Sequence, residues 1–447
     1  MPRAFAAGRR FVLGLSTDAR AGLSGLGWSY LTHGLQLVLR LGSSLILTRL
    51  LLPEAYGIFS PALAATLFLE FLSDIGLRPA VVRSPRGEDP AFLGTAWSVV
   101  MVRGVILSAA AAGLAGVLPA WYDMPALAGV LLALSVRPML MAFQNPTLFV
   151  LYRRINYRVP FFLDIFQTLI AIPATILFAW WLGNVWALVL GLLVGDLARL
   201  VFSHVLCPPA PAPRWDRPAV HELSHFGVSI FLNTLVYGGW FYFDRLVGPR
   251  LLSAAEIGLY ALAWSLAEAL DNLISRGSEV FYSVLSRKTE GVERAAFFRR
   301  TARRIALFLI PGVVLASLVA PWAFELLYPV KFHGAAILFG LLTARLIMRA
   351  TSQLQFMYLM MRGEVILATR AYVVSLVILA ATFVLWVQTL GLHELGLAVS
   401  SVLAMTTFTL AQTVQMVRRR EASPWPAIIA LGWTSIAVTG VLLIYGR

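Results

Sequence analysis

Residues 49–78 read RLLLPEAYGIFSPALAATLFLEFLSDIGLR. This stretch describes the end of one apolar helix, a short turn at Pro53-Glu54 and a full second helix. From Arg250 the chain reads RLLSAAEIGLYALAWSLAEALDNLISRGS. At a constant offset (250 − 49 = 201), Arg49 pairs with Arg250, Leu50 with Leu251 and Leu51 with Leu252. Gly57 falls on Gly258, Phe59 on Tyr260, Ala62 on Ala263, Leu72 on Leu273 and Gly76 on Gly277. Any two Leu/Ala-rich spans share letters by composition. The arginine and the glycines also keep register, which points to duplication. Internal repeats recur in membrane transporters, with the substrate site at the repeat interface.

The 447 residues are 59% hydrophobic and 13% charged, with a mean hydropathy of +0.79. Soluble domains carry about 25% charged residues. A soluble fold cannot hide this much apolar surface, so most of the chain belongs in lipid. Only helices or closed barrels satisfy the backbone there. Continuous apolar runs, without alternation, choose helices. The single cysteine, Cys207, excludes an intramolecular disulfide framework and a cysteine metal cluster. His221 and His225 are four apart but have no third ligand nearby, so no metal site and no cofactor is expected. The net charge of +14 comes from arginines that fall mostly in loops between apolar spans. The positive-inside rule accounts for them, and nucleic acid is not an expected partner.

Spans of about 20 apolar residues are expected near 25–49, 55–80, 92–118, 125–150, 160–182, 185–206, 223–247, 255–283, 302–322, 333–361, 366–390, 393–417 and 425–446. This makes an all-α polytopic membrane protein with two six-helix lobes in the same orientation around a central cleft, and about 12–14 transmembrane helices. The divisions are a basic tail (1–24), an N-lobe (25–206), a Pro-rich linker (207–222), a C-lobe (223–417) and an additional C-terminal span (418–447). Gly8-Arg9-Arg10-Phe11 faintly resembles an export signal. The run after it is short and is broken by Asp18 and Arg20, so a retained cytoplasmic tail is expected. Arginines crowd alternate loops, such as 287–304, while loops such as 120–125 and 389–394 carry almost none. The N-terminus and the linker are therefore expected in the cytoplasm and the C-terminus on the opposite side.

Ionisable residues inside a membrane are costly and default to functional hypotheses. Span one carries Thr32, Gln36, Arg40 and Ser43 at helical spacing, and span seven carries Asn233, Tyr237, Trp240 and Asp244 on one face. At the same 201-residue offset Thr32 matches Asn233, Gln36 matches Tyr237 and Ser43 matches Asp244. Two such faces can meet across a wet cavity, lined by Gln36, Asn233, Tyr237 and Asp244, or they can be interhelical hydrogen-bond glue. Arg40, Arg137, Arg276, Arg345 and Arg349 lie deep in their spans. Guanidinium groups bridge phosphate oxygens bidentately, so a cavity holding several wants an anion such as a diphosphate. The other reading pairs them with Glu70, Asp74, Asp164, Asp196, Glu268, Asp271 and Glu279. Glu70 with Asp74, and Glu268 with Asp271, share helix faces and suit uptake of a proton or sodium ion, or structural ion pairing. Gly57 and Gly258 begin equivalent helices, where close approach would seal an outer gate or where each would only end a turn. No catalytic constellation and no phosphate-cradling glycine loop is present, so the chain is not expected to be an enzyme.

RLLLPEAYGIFSPALAATLFLEFLSDIGLRPAVVRS resembles the first-hairpin signature of bacterial polysaccharide flippases, the Wzx-type oligosaccharide-lipid transporters of the multidrug/oligosaccharidyl-lipid/polysaccharide superfamily. Phe243-Asp244-Arg245-Leu246-Val247-Gly248 followed by AAEIGLYALA resembles the matching element of their second half. The likeness covers the whole chain in layout. It implies alternating-access flipping of undecaprenyl-diphosphate-linked oligosaccharide, the repeat unit of a polysaccharide, lipopolysaccharide or exopolysaccharide, across the bacterial inner membrane. It also implies membrane lipid and polysaccharide polymerase or export machinery as partners. A cation-coupled multidrug exporter of the same superfamily is the alternative. A membrane glycosyltransferase or polymerase would need a long outer loop that this chain lacks.

Overall fold

The computed structural model describes residues 17–73, 77–154, 156–225, 228–286, 292–304, 310–362, 364–419 and 424–445. All regular secondary structure among them is helical. The N-terminal half holds α1 (Thr17–Leu50), α2 (Pro53–Leu72), α3 (Leu77–Arg83), α4 (Pro90–Leu114), α5 (Leu118–Tyr122), α6 (Leu127–Leu134), α7 (Arg137–Ala142), α8 (Thr147–Arg153), α9 (Arg158–Leu182) and α10 (Trp186–Leu206). The C-terminal half holds α11 (Arg217–His225), α12 (Val228–Val247), α13 (Ala254–Ser286), α14 (Val292–Arg304), α15 (Ile310–Leu327), α16 (Gly334–Met361), α17 (Val365–Val384), α18 (His393–Arg418) and α19 (Trp425–Tyr445).

Each interval read as a span contains helix. Among the described residues, nine helices are long and apolar enough to cross a membrane, or up to ten if a bent pair counts as one span. The set omits α1 and α12, which carry the two polar stripes, and α13, which carries Glu268 and Asp271. Helices facing protein or a wet cleft need no apolar girdle all round, so hydropathy alone undercounts them.

The fourth span departs from expectation. Residues 125–150 are broken into α6, α7 and α8, with a 62° bend between Leu127–Ala142 and Thr147–Arg153. Pro138 and Pro146 each lack the N–H that a continuous helix requires. Asn145 fills the gap: its backbone N–H donates to Ser203 Oγ (3.0 Å) and its Oδ1 accepts from the Thr147 hydroxyl (2.6 Å). Irregular backbone at membrane depth is tolerated where protein satisfies it. The linker also differs. Only 207–216 is extended, and Arg217 already begins α11. The extended part lies on the N-lobe, with the Arg214 N–H on Gly94 O (3.3 Å) and Asn145 Nδ2 on Pro208 O (2.9 Å).

Lipid tails are as apolar as leucine, so the lobes hold together by close packing and hydrogen bonds. The N-lobe core gathers Leu51, Ala62, Leu127, Leu131, Leu134 and Val189. The C-lobe core gathers Tyr260, Phe324, Leu341, Phe383 and Leu397, with Tyr372 stacked on Phe408 at 4.1 Å nearby. The lobes meet where α2 packs along α12 and α13 and where α1 packs along α13. The end of the bundle at the α1–α2 turn is tightly joined. Ser44 and Tyr328 share a hydroxyl hydrogen bond (2.6 Å), and the Tyr122 hydroxyl donates to Leu246 O (2.6 Å).

Candidate functional site

A cavity of about 360 Å³ lies between the lobes. Residues one turn apart on α1 supply Gln36, Arg40 and Ser43; α9 supplies Gln167 and Thr168; α13 supplies Asn272. Leu37, Ala171, Ile172, Leu192 and Ala269 complete the wall. The Arg40 side chain is 48% exposed. Its Nη1 donates to Ser265 O (3.2 Å) and stands 3.9 Å from Glu268 Oε2, so one long-range carboxylate contact leaves most of the guanidinium facing the cavity.

Other expected site residues are committed elsewhere. Arg137 is held by Glu70 (2.8 Å) and by the fully buried Asp196 (3.1 Å). Asp196 also accepts from Gln167 Nε2 (2.8 Å), and Gln167 Oε1 accepts from Arg199 (3.2 Å). Arg199 closes the chain on Asp164. Bare charges at this depth would cost several kcal/mol each, and pairing offsets part of that cost. Arg137 and Glu70 therefore behave as the ion-pair reading requires, and neither lines the interlobe cavity.

In the C-lobe, Arg349 pairs with Asp271 (3.3 Å), both side chains being 11% exposed. Arg345 is buried and lies 4.2 Å from the Trp264 ring centroid, with Nη1 on Ser401 Oγ (3.2 Å). Arg245 covers the same ring at 4.8 Å. A desolvated guanidinium on an indole face gains about 2 kcal/mol or more, which helps hold Arg345 in place. Neither Arg345 nor Arg349 lines the cavity that holds Arg40. Asp244 accepts from the Tyr260 hydroxyl (2.6 Å), and Tyr237 packs against Phe71 and Tyr372. Both thus belong to packing rather than to the cavity wall. The side chains of Asn233 and Arg276, and the whole of Asp74, lie outside the described residues.

Sequence reasoning passed over Gln167, Thr168 and Asn272. Each is a polar residue inside an apolar run, and that was their only signal. The helix rotation that turns them to the cavity is set by packing.

Residues 46–337 match the family model described as "Polysaccharide biosynthesis protein". A search of curated proteins returned no match. Among solved structures, the chain is similar to the lipid II flippase MurJ in an inward closed conformation, with TM-score 0.70, 12% identity and coverage of 93% of this chain and 96% of that one. It is similar to an inward-facing multidrug resistance MATE family transporter of the MOP superfamily, with TM-score 0.64, 14% identity and coverage of 86% and 95%. An outward-facing MATE family transporter gives TM-score 0.58, 13% identity and coverage of 93% and 96%. At these identities the likeness is one of fold.

Proposed function

This chain belongs to the polysaccharide biosynthesis protein family, and from that premise we propose that it flips undecaprenyl-diphosphate-linked oligosaccharide across the bacterial inner membrane by alternating access. The observation that carries the reading is Arg40: a half-exposed guanidinium on the wall of an interlobe cavity, 3.9 Å from its only carboxylate neighbour among the described residues. A permanent cation at membrane depth suits a diphosphate. The polyprenyl tail stays in lipid while the sugars cross in the cleft.

With the N-terminus cytoplasmic, as the loop arginines favour, the joined α1–α2 end faces outward and the cleft opens to the cytoplasm. The repeat-related lobes then rock about the cavity. Glu268, beside Arg40, is the carboxylate placed to sense substrate and to take part in ion coupling. Arg345 and Arg349 serve the C-lobe interior in this state. The product would pass to polysaccharide polymerase and export machinery. The alternative, a cation-coupled multidrug exporter, fits less well, because Arg40 repels a cationic drug.

Proteoliposomes loaded with a fluorescent undecaprenyl-diphosphate-linked sugar test this. Wild type should move the label between leaflets, Arg40→Gln should not, and Arg40→Lys should retain part of the rate. Movement of ethidium without movement of the lipid-linked sugar would overturn the reading.

A further inference from the structure

The polar groups on the cavity wall divide into engaged and free. The Thr168 hydroxyl donates to Asp164 O (2.7 Å) and the Ser43 hydroxyl to Arg40 O (3.0 Å). Both polar atoms of the Gln167 carboxamide are taken, by Asp196 and by Arg199. The Gln36 and Asn272 carboxamides make no hydrogen bond among the described residues. Arg40 is the cavity's cation.

These three groups are ordered in depth. Leu50 at the end of α1 and Ala254 at the start of α13 both lie at the joined end, so the two helices run in opposite directions from it. Arg40 meets α13 at Ser265 and Glu268. Gln36 is one turn further from the joined end on α1, and Asn272 is one turn further than Glu268 on α13. The two free carboxamides, one from each lobe, therefore sit on residues one helical turn, about 5.4 Å, beyond Arg40 and Glu268 along their helices.

We propose that Gln36 and Asn272 recognise the hydroxyl groups of the sugar joined to the diphosphate, and so set sugar preference at this site. The proposal rests on the flippase reading and deepens it. A carboxamide offers donors and an acceptor, which matches a hydroxyl that is itself both. It carries no charge, so it favours a sugar over a further phosphate. One helical turn is the step from a phosphate to the ring it carries. The cavity volume of about 360 Å³ is near the low end of the range of about 300–1,000 Å³ for ligand pockets. It suits a diphosphate and its first sugar, with later sugars extending toward the open end.

The test uses the full chain in nanodiscs and measures binding of undecaprenyl diphosphate, bare and carrying glucose, galactose or N-acetylglucosamine. Wild type should bind at least one sugar-bearing lipid more tightly than the bare lipid. Asn272→Ala and Gln36→Ala should each erode that preference about three- to tenfold, the worth of one hydrogen bond, with bare-lipid affinity and melting temperature unchanged. Asn272→Gln, which keeps the amide, should restore part of it. The proposal fails if wild type shows no preference for any sugar, if the preference survives both alanine variants, or if these weaken the bare lipid equally. A wild type that binds none of the lipids, or an Arg40→Gln variant that binds bare lipid as well as wild type does, overturns the flippase reading instead.

Discussion

Gly57 and Gly258 make the same contact from opposite lobes. A Cβ on Gly57 would stand 1.7 Å from the carbonyl oxygen of Ala254, and a Cβ on Gly258 would stand 1.8 Å from that of Pro53. The 201-residue shift exchanges the two contacts (53 + 201 = 254; 57 + 201 = 258). The repeat thus closes on itself at the joined end, backbone against backbone. Neither position tolerates a side chain without separating the helices, because the atoms met are main-chain.

Gly57→Ala and Gly258→Ala should each disfavour this closed end by about 1–3 kcal/mol, the usual cost of overpacking. Spin labels on the α1–α2 turn and on the start of α13 should report a longer interlobe distance in the variants. Distances unchanged from wild type would mean that the contact does not hold the lobes together.

Arg349→Gln or Asp271→Asn should each destabilise the C-lobe by about 3–5 kcal/mol, since either leaves a buried charge without its partner. The double variant should recover much of the loss. Thermal unfolding in detergent checks this, and additive losses in the double variant would show that the pair is not coupled.

Asn145→Ala should free the linker from the N-lobe. It removes the bond to Pro208 O and the acceptor for Thr147, at about 1–3 kcal/mol for buried groups left unpaired. Hydrogen exchange should accelerate across 208–216 while the cores stay protected. Exchange at the wild-type rate would show that the linker is held by other means.

Glu88 lies in the loop before α4, where the hydrogen bond from Arg154 holds its carboxyl below the ordinary value of 4.5. A depressed folded-state value means that this pairing contributes above the unfolded pKa and is lost as pH falls through the folded one. Arg154→Gln should return the Glu88 midpoint toward the ordinary value in an NMR titration. An unchanged midpoint would remove Arg154 as the cause.

The membrane class, the approximate helix positions, the 201-residue offset and its glycine pair are legible in the letters. Apolar run length and a constant offset are local or linear properties, and they survive without knowledge of neighbours. The break in the fourth span was present in the letters as Pro138 and Asn145-Pro146, yet its apolar length read as one helix. Which charged groups stay free is not legible there. Arg40 and Arg137 look alike in sequence, each deep in an apolar span. Arg137 finds Glu70, 67 residues away, and Asp196 on another helix, whereas Arg40 turns to a cavity. Helical spacing shows that residues share a face; whether that face meets a carboxylate, an indole such as Trp264 or open space depends on helix rotation and neighbours. Packing across the two lobes sets both.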